Sequence, residues 1–479
     1  MRVCLANPSW RVDGRKGIRA GCRVPNSIGD GQHTFMPFPF TLAYAMAMVE
    51  RIEGVEAMII DAIAEDLDRD EYLRRVKDFG PDLLISEMST ESHRMDLEVA
   101  EAAKRETGAR VAVCGPHASA VARELLDNEF LDFVLVGEYE QTTVDLIGCL
   151  RGGESYEGMG GLGYRTADGE IVVGEKRPLM PELDALPLPH RETLPMSSYS
   201  VAGFPGPVLF MYASRGCPYR CTFCVWPQWF KSGSYRTRSP ESVIDEIEDA
   251  QKRFGPFGSI YFDDDTFNLG GDRMRQMARL FKERGMKLPW GCNARPDQFN
   301  PEMMRELAEA GLFNIRIGVE SADPEVLRRT KKDLDISKVQ PCIDMAHDNG
   351  VKVHVTFTIG LSGESWDSVK RTAAFAKSIT PDSIAFTVTT PFPGTEYYDE
   401  VVRDGFLETR DWDQFNVVSN SVVRTETMSR AEILKAEKYV MRQVYSSPRY
   451  LLRRLSYAGS PSEVLALARK GTRFLMRRF

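Results

Sequence analysis

The chain has 479 residues, 43% hydrophobic and 27% charged, enough to bury sizeable cores in about three domains of ~150 residues each. A net charge of −8 excludes a general nucleic-acid binder, whose footprint is basic. No apolar run approaches the ~20 residues of a membrane span, and the apolar start Val3–Ala6 is too short for a signal peptide and reads as a strand.

Over residues 1–150, short apolar runs alternate with helical patterns. Val3–Ala6, Ala57–Ile60, Asp82–Ser86, Val111–Cys114 and Phe133–Val136 predict five buried strands, with helices such as Leu97–Lys104 between them. That alternation specifies an α/β fold with a doubly wound parallel sheet, whose ligands lie beyond the carboxyl ends of the strands. The informative loops are therefore Asn7-Pro8-Ser9-Trp10, Asp61-Ala62-Ile63, Glu87–His93 with Ser89 and Thr90, Gly115-Pro116-His117-Ala118-Ser119, and Gly137-Glu138-Tyr139-Glu140. Residues 151–204 are rich in Gly and Pro and read as an irregular linker with a small hairpin.

A second series follows: Val208–Tyr212, Ser259–Phe262, Trp290–Asn293, Asn314–Val319, His354–Ile359 and Ser383–Thr389. Ser239-Pro240 opens one of the intervening helices, with Ser as cap and Pro at the first helical position. Six strand–helix units over 205–404 predict a (β/α)6 partial TIM barrel with active groups at the strand carboxyl ends. Residues 405–479 read as helical. From Arg449 to Phe479, eight basic residues stand against the single acid Glu463. This tail suits either a solvated helical face or peripheral contact with an anionic membrane surface or acidic partner.

Directly after the first barrel strand stands Cys217-Pro-Tyr-Arg-Cys221-Thr-Phe-Cys224. The C-x-x-x-C-x-x-C spacing offers three thiolates in one tight loop, which suits a [4Fe–4S] cluster with one iron left for a small-molecule ligand. A structural zinc loop usually takes four ligands, commonly as two C-x-x-C pairs, and no second pair exists here. The other six cysteines read as small core hydrophobes, Cys4 and Cys114 in apolar strands among them. Together the nine point to a reducing, cytoplasmic setting.

With Phe223 before its third cysteine and Ser214-Arg215-Gly216 before its first, this loop resembles that of the radical S-adenosylmethionine (radical SAM) superfamily. The resemblance implies that Cys217, Cys221 and Cys224 hold the cluster and that its open iron binds SAM. Reductive cleavage would then give methionine and a 5′-deoxyadenosyl radical. It also gives meaning to the segments at successive strand ends. Asp263-Asp264-Asp265 suits the SAM ammonium group, and Arg295 suits a carboxylate. Glu320, followed by Ser321, suits the ribose hydroxyls, and Ile359-Gly360 suits a close approach to adenine. Pro391-Phe392-Pro393-Gly394-Thr395 closes the sixth strand. Tyr219, Trp226 and Trp229 would shield a radical from water, or simply pack.

Residues 1–400 resemble the radical SAM subfamily with an N-terminal cobalamin-binding domain. Tyr445-Ser446-Ser447-Pro448-Arg449-Tyr450-Leu451 resembles the helical end of the branch with anaerobic porphyrin-ring cyclases and hopanoid-processing enzymes. Cobalamin contacts are then expected from Pro8, Ser89, Thr90, Gly115, Pro116, His117, Gly137 and Glu138. A loop histidine such as His117 ordinarily bonds neighbouring backbone, and a corrin or metal contact is its alternative. Two departures stand out. Asp61-Ala62-Ile63-Ala64-Glu65-Asp66 lacks the His and Gly of D-x-H-x-x-G, so no histidine lower ligand to cobalamin is expected there, and Ser362 replaces the family's usual Pro. The implied reaction is hydrogen abstraction from an unactivated carbon of a small, hydrophobic substrate, then methylation through methylcobalamin. Radical cyclisation, ring contraction or carbon–carbon coupling is the alternative. Either needs a reducing electron donor.

Overall fold

The computed structural model describes residues 1–12, 14–19, 35–229, 233–415, 420–448 and 450–452. The basic tail and its expected partners therefore lie almost wholly outside the described residues. No described helix is long and apolar enough to cross a membrane.

Five of the first strands are where the apolar runs predict them: β1 Arg2–Asn7, β2 Glu56–Asp61, β3 Leu83–Glu87, β4 Arg110–Cys114 and β5 Phe133–Leu135. They pair in parallel in the order β2-β1-β3-β4-β5. The order reverses at β1 and β3, so the binding crevice of this doubly wound sheet opens between their carboxyl ends. Local chemistry closes the connecting helices. Asp68 caps helix Arg69–Phe79 through the Glu71 amide, and Gly80 (φ 60°) and Gly108 (φ 72°) supply left-handed C-caps. The small hairpin, β6 Leu162–Arg165 and β7 Ile171–Val173, does not stand apart in the linker. It is hydrogen-bonded antiparallel onto β5 and extends the first sheet.

The second sheet comprises β8 Val208–Met211, β9 Ser259–Phe262, β10 Trp290–Ala294, β11 Leu312–Glu320, β12 Lys352–Ile359 and β13 Ser383–Val388. All are parallel and in sequential order, and edge strands β8 and β13 are not paired with each other, so the barrel is open. Helix Arg430–Tyr445 lies along the β13 edge: the Tyr445 hydroxyl donates to the Ile384 carbonyl at 2.9 Å, and Ile433 is fully buried. Between 405 and 429 the described chain is not helical as expected. It makes a single 3-10 turn, Trp412–Gln414, before Ser429 starts the helix with a capping box to Glu432.

A buried ion-pair network joins the two sheets. Glu138 and Glu140, just after β5, meet Arg215 and Arg236 on the short antiparallel ribbon of Ser214–Gly216 with Tyr235–Thr237. Arg236 reaches Glu138 at 2.6 Å and Arg215 reaches Glu140 at 2.8 Å, every side chain being at most 10% exposed. The Arg215 guanidinium also covers the Tyr44 ring at 4.8 Å. Removing one member leaves its partners charged and desolvated. We expect Arg215→Met to lower the unfolding free energy by about 3–5 kcal/mol in urea denaturation. Arg2→Ala, which breaks the exposed pair with Glu56, should cost under about 1 kcal/mol. Equal losses for the two would overturn this account.

Candidate active site

The cysteine loop spans the mouth of the barrel. Its middle is stitched at Thr222, whose amide donates to the Thr330 carbonyl at 3.0 Å and whose carbonyl accepts from the Tyr397 amide at 3.0 Å. Cys217 and Cys221 are buried and Cys224 is partly exposed. Burial pushes both buried thiols up; Thr266, 3.4 Å from the Cys217 sulfur, and Lys332 near Cys221 pull the other way. Three such thiols ionise together only around strongly positive metal. Among the described residues no three Cys, His, Asp or Glu side chains converge as a single metal ion requires. A four-iron cluster instead takes its thiolates at separate corners, and this donor set fits it better than zinc.

Below the loop lies a cavity of about 260 Å³ lined by all three cysteines, Phe223, Asp265, Arg295, Glu320, Lys332 and Thr358, among others. The end of β11 is bulged between Gly318 and Glu320, and Glu320 sits at φ 69°. A non-glycine residue pays for that backbone, and such strain gathers where a side chain must be aimed. Glu320 accepts from the Thr358 hydroxyl at 2.8 Å and from the Lys332 ammonium at 3.3 Å. Thr358 and Lys332 carry no motif of their own, and nothing in the sequence singles them out.

The other expected contacts divide. Of the three consecutive aspartates only Asp265 lines this cavity; Asp263 lines a smaller one between the sheets. Asp264, fully buried, accepts from the Ala213 amide at 3.1 Å and from the Ser214 hydroxyl, bracing the ribbon ahead of the cysteines. Burial pushes its carboxyl up to about 6. Arg295 lines the cavity, but its fork is committed to Asp297 (2.6 and 3.0 Å) and to the carbonyls of Lys332 and Asp333. It stacks on Tyr219 at 3.7 Å and so braces the cysteine loop. Ser321 bonds the Asp323 amide at 3.1 Å and lies 3.3 Å from the Thr372 hydroxyl, outside the cavity lining. Ile359 and Gly360 are also outside it. At Gly360 (φ 92°) a Cβ would come within 2.9 Å of Ile433 on the C-terminal helix.

The crevice of the first sheet faces this mouth. Two cavities of about 90 and 80 Å³ lie between them. The larger is lined by Ser89, Thr90, Pro116 and His117 from the first sheet, and by Trp226 and Phe392 from the barrel. Trp226 lines all three cavities, and Trp229 donates to the Ser119 hydroxyl across the junction at 3.2 Å. The Pro8 carbonyl accepts from Arg19 at 2.7 Å. At Gly115 (φ 107°) a Cβ would come within 3.0 Å of the Met88 carbonyl. His117 bonds side chains rather than backbone: Thr90 lies 3.0 Å from one ring nitrogen and His93 2.9 Å from the other. Burial and His93 hold it well below the usual histidine range, as a neutral ring. Pro8, Gly115, Gly137 and Glu138 do not line either crevice cavity; the Gly137 amide donates to the Ser119 hydroxyl and Glu138 belongs to the inter-sheet network. Ile63, at the position of the missing histidine, lines the crevice as an apolar side chain.

Residues 211–376 match the Radical SAM superfamily, and residues 35–147 match the B12 binding domain. An uncharacterized methyltransferase of Pyrococcus horikoshii is 30% identical over 87% of this chain and 89% of its own length. An anaerobic magnesium-protoporphyrin IX monomethyl ester cyclase of Rubrivivax gelatinosus is 25% identical over 83% of this chain and 71% of its own. Among solved structures, OxsB, a cobalamin-dependent SAM radical enzyme with aqua-cobalamin and SAM bound, superposes with a TM-score of 0.73 at 17% identity, over 100% of this chain and 71% of that one. The first match brings a [4Fe–4S] cluster and SAM as cofactors, the second cobalamin. With both in one chain and a 30% identical relative over most of its length, the protein belongs to the radical SAM superfamily, among the enzymes that carry a B12 binding domain ahead of the barrel.

Proposed function

We propose that this enzyme is a cobalamin-dependent radical SAM methyltransferase acting on a small molecule with an apolar body. The observation that carries the reading is the shared wall: Trp226 borders the cysteine-lined cavity and both crevice cavities, so one substrate would touch both cofactor regions. In this reading residues 1–150, with the β6–β7 hairpin of the 151–204 linker, hold the corrin; 205–404 hold cluster and SAM; and helix Arg430–Tyr445 of the C-terminal part supports the barrel edge. When bound, cluster and SAM supply a radical that takes hydrogen from an unactivated carbon, and the corrin supplies the methyl group placed on it.

The chain's own work is to bind, orient and exclude water. Cys217, Cys221 and Cys224 anchor the cluster. Glu320, held by Thr358 and Lys332, accepts from the ribose hydroxyls, and Asp265 lies with them for the ammonium group. Arg295 keeps Tyr219 and its loop in place. Pro8, Ser89, Thr90, Gly115, Pro116 and His117 would contact the corrin, and the Asp61–Asp66 loop carries no histidine for its cobalt. Phe35, Phe38, Phe40, Tyr212, Trp226 and Trp229 give the crevice an aromatic wall that suits an apolar substrate and dries the radical's path. The electron comes from a low-potential donor.

Anaerobically reconstituted protein should hold about four iron and four sulfide with about one cobalt per chain, and each of Cys217→Ala, Cys221→Ala and Cys224→Ala should lose most of the iron. Glu320→Ala should weaken SAM binding roughly 10- to 100-fold by equilibrium dialysis, the worth of a hydrogen bond to a charged group. Turnover with the true substrate should release both 5′-deoxyadenosine and S-adenosylhomocysteine and add one carbon to the product. Deoxyadenosine alone, with no carbon gained, would replace methylation by the cyclisation or coupling reading, which the similarity to the Rubrivivax cyclase supports.

A further inference from the structure

One acid in the crevice has no part in the chemistry above. Glu87 ends β3 one residue beyond the Ser86–Ala6 pairing with β1, where the strand order reverses, and it lines both crevice cavities. Among the described residues its hydrogen-bond partner is Tyr139, whose hydroxyl donates at 3.3 Å, and no cation pairs with it. Arg19, which lines the same cavities, is committed to Asn7, the Pro8 carbonyl and Asp96. The other titratable groups around Glu87 are Asp61 and Cys114 on its own sheet, Asp96 on the helix His93–Thr107 that follows β3, Tyr139 just after β5, Glu91 and His117 along one cavity, and Asp263 from the barrel. Burial pushes Glu87 up to about 7, with Asp61 and Asp96 adding to it and Arg19 opposing. An acid so placed changes charge within the working range of a cell.

We propose that Glu87 is the charge-setting residue of the corrin crevice: as the cobalt of bound cobalamin accepts an electron, Glu87 takes up a proton. This rests on cobalamin occupying the crevice. The balance is one electron from the external low-potential donor, reducing cobalt(II) to cobalt(I), and one proton from solvent, converting the carboxylate to the acid. No covalent bond other than O–H is made or broken. The sign follows from electrostatics. Added electron density beside a carboxylate raises its proton affinity, so its protonation midpoint is higher in the reduced state than in the oxidised state. Between those two values the cobalt potential falls as pH rises; well below both and well above both it is flat.

The test is an anaerobic spectroelectrochemical titration of the cobalamin-loaded full chain from about pH 6 to about pH 9, the range that brackets a perturbed carboxyl of this kind. The wild-type cobalt(II)/cobalt(I) midpoint should fall across neutral pH. Glu87→Gln, loaded to the same cobalt content, should be flat and match the wild-type low-pH value, and Glu87→Asp should recover the fall. A flat wild-type midpoint, or an unchanged slope in Glu87→Gln, overturns the proposal and leaves the methyl-transfer reading standing. Failure of the wild type to bind cobalamin overturns both.

Discussion

The arrangement depends on four buried charges. Arg215 stands two residues before the first cysteine, and its guanidinium is shared between Glu138 and Glu140 at the end of the first sheet. Arg236, on the partner strand of the ribbon, completes the balance. Two positive and two negative groups, none more than 10% exposed, tolerate no shift of one sheet against the other. The cost of burying them is offset only in one register, and that register sets the carboxyl ends of both sheets face to face. An apolar junction of the same area would slide more easily. The network therefore contributes position as much as stability.

With the sheets so fixed, the two cofactor regions acquire different characters. The barrel mouth is polar and preorganised: Glu320 is held in a left-handed backbone and steadied by Thr358 and Lys332 before any ligand arrives. The crevice is aromatic, with Phe38 packed edge-on against Tyr199 at 5.2 Å and Phe40 stacked on Tyr212 at 3.9 Å. Phe40 belongs to the helix Phe40–Val49 of the first unit and Tyr212 to the barrel, so the apolar wall itself crosses the junction. Polar groups orient what binds on one side, and rings exclude water on the other.

What was legible in the sequence is what local rules encode. The buried strands appear as apolar runs because both faces of a parallel sheet are covered, and the Ser239-Pro240 cap appears as predicted, with the Ser242 amide donating to Ser239. The cysteine loop was legible because its chemistry demands a fixed spacing. Pairings between distant residues were not. Glu138 resembled a cofactor contact, and only the fold brings Arg215 and Arg236 to it. The contact of Gly360 with Ile433 was equally hidden, because Ile433 comes from a helix that follows the barrel. Three adjacent aspartates looked like one site, yet chain geometry at a strand end turns consecutive side chains to different surroundings, and Asp264 became a brace.

The stitching of Thr222 bears on the order of events in time. Its two backbone partners, Thr330 and Tyr397, follow the fourth and sixth barrel strands, so both lie far along the chain from the loop they hold. Loop closures of that span come late, after nearer contacts have lowered their entropic cost. The three thiols thus reach their final places only when almost the whole barrel has been synthesised and has folded. Iron delivered earlier would meet a mobile strand of cysteines; iron delivered later meets a mouth already built. The cysteine loop is thereby set by the last strands of the barrel as much as by its first.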